Sequence, residues 1–238
     1  MLHSTKGIVF HSLKYSETSI IVKIYTDLFG IQSYLIKGIR NAKSKVKPGL
    51  FQSMTLLDLV VYHKEKQSLQ SIKEVQLSCP FKTIPFDIRK SSVVMFINEL
   101  VYKSIREEEA NPELFGFLWQ SCRDLDETEE SVSGFHLRFS LQLMQYLGIF
   151  PQNNRADSFP IFNLREGCFQ ARVPNHPHYL DPEQSRVFSE ILDMNIEYRI
   201  LNIEYRRKIL ETILLYYQLH LPGFKGVQSH HILHDVLA

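Results

Sequence analysis

The sequence predicts an α+β protein of two modules, a five-stranded β-barrel over residues 1–80 and an all-α helical domain over residues 81–238. The first eighty residues contain short, alternating apolar runs separated by turn residues. After Pro80 and Pro85 the apolar residues recur at helical spacing instead. The charge divides there too, because residues 1–80 have 11 Lys/Arg against 5 Asp/Glu, whereas the remainder has 16 against 21. A basic and an acidic module within a chain of net charge +1 indicate two kinds of partner.

The first module contains five predicted strands. Alternation places Ile20, Val22 and Ile24 on one face of the second strand and Tyr25 on the other. Gly30 ends the turn that follows, because glycine adopts positive φ at little cost. Five short strands in this length fit a Greek-key barrel of the OB-fold type, and an open five-stranded sheet is the alternative. The predicted strands span residues 5–15, 18–27, 31–37, 54–63 and 68–77.

Six helices are predicted in the second module. In the first of them, Val94, Ile97 and Val101 fall on one apolar stripe. The second begins with Asn111 as N-cap, followed by a proline at the first helical position. Trp119 lies among apolar neighbours in this second helix, so we assign it to the core. The predicted helices span residues 87–109, 110–125, 133–148, 181–192, 203–221 and 229–237.

A loop-rich insertion over residues 150–180 interrupts the helices, with one short hairpin centred near Gly167. It contains Cys168, His176 and His178, residue types that bind zinc. A structural zinc site normally needs four ligands, often supplied as pairs of closely spaced cysteines, and the chain has no such pair. We therefore predict no metal and no cofactor. A metal-dependent enzyme that uses these three residues is the alternative.

Other functional classes lack their sequence signatures. The chain has no phosphate-binding GxxxxGK[ST] or GxGxxG motif and no GxSxG nucleophile motif. No apolar run reaches the ~18 residues that a membrane span requires, and the N-terminus does not resemble a signal peptide. Three dispersed cysteines suit a reducing compartment, so we expect a cytoplasmic protein without a membrane partner. Acidic runs at 107–109 and 124–130 are predicted to be solvated helix ends.

The most specific feature of the first module is the loop "KGIRNAKSKVKPG", residues 37–49, which contains cations and no acid. A dense basic loop at the mouth of a small barrel attracts a phosphate chain, and a mobile loop that only aids solubility is the alternative. Lys14 and Lys23 are weaker additions to the same predicted DNA-binding site. Four nearby aromatic residues could stack on bases unless they fill the barrel: Tyr15, Tyr25, Tyr34 and Phe51. The loop cations are Lys37, Arg40, Lys43, Lys45 and Lys47.

Several segments resemble the RecO family of bacterial recombination mediators. The first module carries "YSET" before the second strand and "KGIR" leading into a basic loop that contains serine. The second module carries "LRFSLQLMQYLGIFP", similar to the family's helix ending in Leu-Gly, and the closing segment "YYQLHLPGFKGVQSHHIL". The resemblance covers nearly the whole chain in the same order. It implies an N-terminal OB-fold followed by a helical domain.

The resemblance also implies a function and partners. RecO-like proteins bind single- and double-stranded DNA, anneal complementary strands, and help load RecA onto strands coated by single-strand-binding protein. The implied partners are RecR and the acidic C-terminal tail of the single-strand-binding protein. Arg138 resembles the family position that could hold this tail, with Lys103 as a second candidate. The alternative role for Arg138 is pairing with an acidic neighbour such as Glu130.

Many family members carry a four-cysteine zinc site just after the Leu-Gly helix. This chain has only Cys168 in that region, and we therefore expect the loop and hairpin insertion at 150–180 to stand in place of the zinc site. The prediction from the sequence is a non-enzymatic DNA-binding mediator. The alternatives are an OB-fold module that binds RNA, the metal-dependent enzyme described above, and a protein scaffold in which the barrel is a spacer.

Overall fold

The computed structural model describes residues 1–39, 46–106, 109–193 and 202–237. Among these residues, two compact units form, Met1–Thr128 and Glu129–Ala238. The first unit contains five strands and two helices: β1 Leu2–Lys14, β2 Ile20–Thr26, β3 Gly30–Ile36, β4 Leu56–Tyr62, β5 Ser71–Leu77, α1 Ile88–Ser104 and α2 Pro112–Glu127. The compact unit thus includes the first two helices with the strands, and the predicted module boundary after residue 80 stays a prediction.

The five strands form one antiparallel sheet in the order β3-β2-β1-β4-β5. Gln70, just before β5, closes this sheet by bridging to β3 in parallel at Tyr34. The Gln70 backbone N–H donates to the carbonyl of Ser33 at 2.8 Å, and the Leu35 N–H donates to the carbonyl of Gln70 at 3.0 Å. The result is a closed five-stranded barrel of the OB-fold type, as the sequence predicted, rather than an open sheet.

The barrel interior is filled by the apolar residues that alternation predicted. Ile20, Val22 and Ile24 of β2 are buried in one cluster with residues from every other strand. Tyr25, on the opposite face, is also buried, because Phe115 of α2 lies 6.0 Å from its ring and Phe10 of β1 stacks on it at 5.4 Å. The outer face of β2 is therefore covered by a helix at this point.

Two details of the helices differ from the prediction. Trp119 is half-exposed rather than in the core, and the Lys6 Nζ lies 4.8 Å from the centroid of its ring. In α1 the buried stripe includes Ile97 and Val101, but Val93 is buried in place of the half-buried Val94. The predicted cap of α2 is confirmed, because its N-cap side chain accepts a 3.0 Å hydrogen bond from a backbone N–H of the first turn.

A buried polar network joins the segment before α1 to the end of α2. The Asp126 carboxylate accepts backbone hydrogen bonds from Lys82, Thr83 and Ile84 at 2.8–2.9 Å. The buried ammonium of Lys90 donates to the Thr83 hydroxyl at 2.7 Å and to the backbone carbonyl of Asp126 at 2.9 Å. Burial opposes the charge on Asp126, but the three backbone donors outweigh it and hold the pKa of the carboxyl below its usual range.

Within its described residues, the second unit combines four helices with a small three-stranded sheet: α3 Phe135–Tyr146, β6 Ile161–Asn163, β7 Cys168–Gln170, β8 Tyr179–Leu180, α4 Pro182–Leu192, α5 Ile203–His220 and α6 His230–Val236. The sheet has the order β7-β6-β8. The predicted hairpin is confirmed between β6 and β7, with Gly167 at φ +69° in its turn. Asp181 and Gln184 form a reciprocal capping box at the start of α4. Within the described ranges, none of the helices has the length and apolar character needed to cross a bilayer.

We expect Asp126→Ala to lower the free energy of unfolding at neutral pH by about 3 kcal/mol, because three backbone N–H groups, one of them buried, lose their acceptor. The pKa of Asp126 is lower in the folded state than in the unfolded state. Asp126 therefore adds to the free energy of unfolding above its unfolded-state pKa, and this stabilisation is lost as the pH falls through its folded-state pKa. The difference between variant and parent should therefore narrow below about pH 4. Urea unfolding at pH 7 and pH 3 measures both effects. Asp124→Ala on the same helix, where the carboxylate is exposed, should change stability by less than about 0.5 kcal/mol; an equal loss in both variants would contradict the role of the network.

Candidate nucleic-acid interface

One end of the barrel gathers three of the predicted DNA-binding lysines. Strand register aligns Lys14 with Ile20 of β2, and Ile20 with Ile36 of β3. Lys37 follows Ile36 directly, so Lys37 and Lys14 lie at the same end, two strand spacings or about 10 Å apart in the sheet.

Lys47 belongs to the same loop as Lys37. It lies at the N-cap of a short 3₁₀ helix, Pro48–Phe51, which returns the chain to the barrel. Ile39 and Phe51, which flank the central part of the loop, are both buried in the barrel core. The described parts of the basic loop are therefore anchored at both sides.

The described lysines at this end carry uncompensated charge. Lys14, Lys37 and Lys47 are exposed, and none of them forms an ion pair with any residue in the described parts of the chain. Arg40 and Lys43 lie outside the described residues, as does Lys45. The charge of the three described side chains is thus available to an external anion.

The structure separates the candidate stacking aromatics into core and surface residues. Tyr25, Tyr34 and Phe51 are buried and fill or cover the barrel. Burial also raises the pKa of Tyr34, whose hydroxyl has no hydrogen-bond partner among the described residues. Tyr15, in the loop between β1 and β2, keeps 61% of its surface exposed beside Lys14. Of the four, Tyr15 is therefore the one placed to stack on a base.

Lys23 lies apart from the basic end, in a groove on the outer face of β2 and β3. It pairs across the sheet with His11 on β1 and Ser33 on β3. Its ammonium is 5.5 Å from the ring centroid of Tyr102, and the His11 ring stacks on the same tyrosine at 5.1 Å. These contacts hold the Lys23 ammonium against α1, and Lys23 also lines the groove.

The groove has a volume of about 600 Å³ and lies between β3 and the loop that joins β4 to β5. Gln70 fixes that loop, because its side chain accepts from the Lys64 N–H at 3.0 Å and donates to the Lys64 carbonyl at 2.9 Å. At the far end, the His63 ring stacks on Phe29 at 4.0 Å. Burial, followed by the nearby His3, lowers the pKa of His63, so this ring is neutral at pH 7.

The groove residues other than Lys23 were not predicted. The sequence "KEKQ" at 64–67 indicated only a polar turn, and nothing in its pattern shows that the turn packs beside β3. The predicted OB-fold topology could have located the groove, because the face of strands 2 and 3 and the loop between strands 4 and 5 form the usual ligand face of OB-folds.

In the second unit, Arg138 is exposed on α3, and its guanidinium lies 5.5 Å from the Phe135 ring centroid. No ion pair joins Arg138 to Glu130 or to another carboxylate of the described chain, so its suggested pairing role is not observed. In the first unit, Lys103 donates to Glu99 at 2.6 Å, which neutralises much of its charge. Arg138 is therefore the better placed of the two candidate cations.

The structure does not assemble the alternative metal site. His176 and His178 lie with ring centroids 6.0 Å apart, and the ring Nδ1 of His176 accepts a hydrogen bond from the backbone of His178. The described residues contain no group of three or more His, Cys, Asp or Glu side chains that could hold a metal ion, and Cys168 belongs to no such group. A metal-dependent reaction on these three residues has no geometric support.

The hairpin in the insertion is held by aromatic packing and amide hydrogen bonds. The fully buried Phe162 contacts Phe169 and Phe188 with ring centroids 4.8 Å away in each case. The Asn154 side chain pairs with the backbone of Phe169 in both directions, accepting at 2.8 Å and donating at 3.1 Å. These contacts supply the rigidity that ligand bonds supply in a metal-bound loop.

Together, these features define the class: an OB-fold barrel with exposed, unpaired lysines at one end, in a chain whose second unit is largely helical. Two family models match the chain, Recombination protein O N terminal over residues 1–81 and Recombination protein O C terminal over residues 85–227. The chain therefore belongs to the RecO family of DNA repair proteins, which fits a role as a recombination mediator.

Relatives in this family match along their whole length. The DNA repair protein RecO of Phocaeicola vulgatus is 36% identical over 242 residues, with 100% of both chains covered. The protein of the same name from Flavobacterium johnsoniae is 34% identical over 237 residues, with 98% of each chain covered. A third, from Porphyromonas gingivalis, is 29% identical over 242 residues. This chain is thus similar to them in both units.

We expect Phe162→Ala to lower the free energy of unfolding by about 3–5 kcal/mol, because it empties the centre of the hairpin's aromatic cluster. EDTA should leave the thermal midpoint of the parent protein unchanged, because the sequence predicts no metal and the aromatic cluster stabilises the insertion. Phe159→Ala, in the same insertion but partly exposed, serves as control and should cost less than about 1 kcal/mol. A drop of several degrees in the midpoint with EDTA would contradict this account.

Proposed function

We propose that this protein binds and anneals single-stranded DNA in the cytoplasm, and helps load RecA onto strands coated by single-strand-binding protein. We assign DNA binding to the barrel module, residues 1–80, and recruitment of partners to residues 81–238. The observation that carries the proposal is the group of unpaired, exposed lysines at one end of a closed OB-fold barrel. Double-stranded DNA presents the same phosphates and is a second ligand of this surface.

Annealing requires charge rather than bond chemistry. Two complementary strands repel each other through their phosphates, and a fixed cationic surface lowers that repulsion and raises their encounter rate. Lys14 and Lys37 lie about 10 Å apart across the sheet, which lets them contact separate phosphates. The loop cations Arg40, Lys43 and Lys45 add to this surface in the proposal. No catalytic residue or cofactor is needed for such a function.

Partner binding is assigned to other surfaces. Arg138 and the Phe135 ring beneath it present a cation beside an apolar surface. An acidic peptide that ends in an aromatic residue with a free carboxylate, such as the tail of single-strand-binding protein, requires this combination. Lys103 is the weaker candidate because Glu99 already pairs with it. RecR is the further partner that we propose, with its contact on the barrel.

We expect log affinity for a single strand to fall with log salt at a slope of roughly −2 to −4, as for three to five neutralised phosphates. The triple variant Lys14→Ala, Lys37→Ala, Lys47→Ala should weaken binding at least about tenfold at 0.1 M salt and flatten the slope by about 2, because three counter-charges are lost. Fluorescence anisotropy with a labelled strand measures affinity, and annealing of naked complementary strands should slow in parallel.

A matched control removes three cations that are already paired with carboxylates, Lys73, Arg89 and Arg123. The control has the same net charge as the triple variant. If the three unpaired lysines form the binding surface, the control should lose much less affinity for the single strand. Equal losses, or a salt slope near zero in the parent protein, would refute the proposed surface. An RNA strand of equal length that outcompetes DNA would favour the RNA-binding alternative instead.

Arg138→Ala should weaken binding of a synthetic acidic peptide ending in phenylalanine about tenfold, because the peptide carboxylate loses its cation. Annealing of strands coated by single-strand-binding protein should slow, whereas annealing of naked strands should not change. Titration calorimetry and the two annealing assays measure these outcomes. Arg186→Ala removes another exposed arginine, which is paired with Glu190, and serves as the matched control. If Arg138→Ala slowed both annealing reactions alike, the assignment of Arg138 to the peptide would fail.

A further inference from the structure

The groove beside β3 differs from the basic end because its lining contains carboxylates as well as cations. Its floor is the outer face of β2 and β3, with Lys23, Ile31 and Ser33. One wall is the loop between β4 and β5, and the other is formed by Glu109 and Ala110, just before α2. Each wall contributes an exposed glutamate, Glu65 from the loop and Glu109 from the other wall.

These two glutamates are not neutralised within the described chain. Neither carboxylate forms an ion pair there, although the groove also contains Lys23 and Lys66. The remaining titratable group of the lining is His63, which is neutral at pH 7. The groove therefore presents the carboxylates of Glu65 and Glu109 as free hydrogen-bond acceptors, together with the cations of Lys23 and Lys66.

The glutamates of this groove can accept hydrogen bonds from the edges of bases. A phosphate beside either carboxylate would face a like charge, which is unfavourable. A base carries no charge, and its exocyclic amino group is a hydrogen-bond donor that carboxylates accept. Leu28 and Ile31 supply apolar surface for the flat face of a base, and the volume of about 600 Å³ falls in the usual range for small-molecule sites.

The register of β3 connects the groove to the basic end. Ser33 lines the groove, and Lys37 stands four residues further along the same strand direction. At about 3.3 Å per residue this separates the two features by about 13 Å. A strand whose phosphates contact Lys14, Lys37 and Lys47 can therefore extend along β3 and place a base between the two walls.

We propose that the groove reads the amino edge of a base, with Glu65 and Glu109 as the acceptors, so that the protein prefers cytosine to thymine in a single strand. The two pyrimidines have the same ring size, but cytosine has an amino donor at the position where thymine has a carbonyl acceptor. A carboxylate at this position thus attracts the cytosine amino group and repels the thymine carbonyl. The inference rests on the proposed binding of single strands by the barrel, and it adds a base preference to it.

The experiment compares oligo-dC with oligo-dT of 20 nucleotides at pH 7.5, by anisotropy at fixed salt. The parent protein should bind oligo-dC about five- to tenfold more tightly than oligo-dT. The double variant Glu65→Gln, Glu109→Gln should reduce this ratio to near one, because an amide both donates and accepts. Its affinity for oligo-dT should rise, because the carboxylate that repels the thymine carbonyl is gone.

The matched control is Glu113→Gln with Glu129→Gln, which removes two exposed glutamates from outside the groove. It changes the net charge equally, so both oligonucleotides should bind somewhat more tightly while their ratio stays at the parent value. Circular dichroism melts confirm that all three proteins are folded.

The outcomes separate this inference from the proposed function. If the parent binds both oligonucleotides equally and with the expected salt slope, the base preference is refuted and the DNA-binding surface stands. If neither oligonucleotide binds, the proposed function itself fails. If the double variant keeps the full ratio, or if the control loses it, the assignment to Glu65 and Glu109 is overturned.

Discussion

Closure of the barrel through Gln70 is the constraint on which the first unit depends. Two backbone hydrogen bonds join Gln70 to β3 and convert a five-stranded sheet with two open edges into a ring. The side chain of the same residue bonds the turn that precedes it, so one buried glutamine both closes the barrel and positions the loop between β4 and β5. The groove wall and the barrel are thus fixed by the same contacts.

The basic end and the groove differ in their charged groups, because only the groove adds carboxylates to its cations. Lys14, Lys37 and Lys47 are exposed at the end of the barrel where β1 ends and β3 ends, and the groove with its two glutamates lies further along β3. A single strand also has two different sides, with charged phosphates on one side and neutral bases on the other. Complementary arrangements of this kind set the orientation of a ligand more than its affinity.

Different interactions hold the helical parts in place. In the first unit, the Asp126 carboxylate accepts hydrogen bonds from three backbone N–H groups, and the Lys90 ammonium donates to the Asp126 carbonyl. These bonds hold the segment before α1 against the end of α2. In the second unit, the insertion depends on the ring cluster around Phe162. Aromatic burial and satisfied amides give this insertion a stable shape from apolar and polar groups that the chain itself supplies.

Local pattern in the sequence determined the strands, the helix caps and the basic loop, because alternation, capping and charge density act over a few residues. Ile20, Val22 and Ile24 were placed in the core from spacing alone, and the hairpin turn followed from the position of Gly167. The family resemblance added the order of the units.

The tertiary structure alone decided which aromatic residues are free and which residues share a surface. Alternation places Tyr25 on the face of β2 opposite the core cluster, where Phe115 covers it, and Trp119, assigned to the core from its neighbours, is half-exposed. Glu65 and Glu109 are 44 positions apart in the sequence and meet at one groove. Such outcomes depend on contacts between distant segments, which no local pattern encodes.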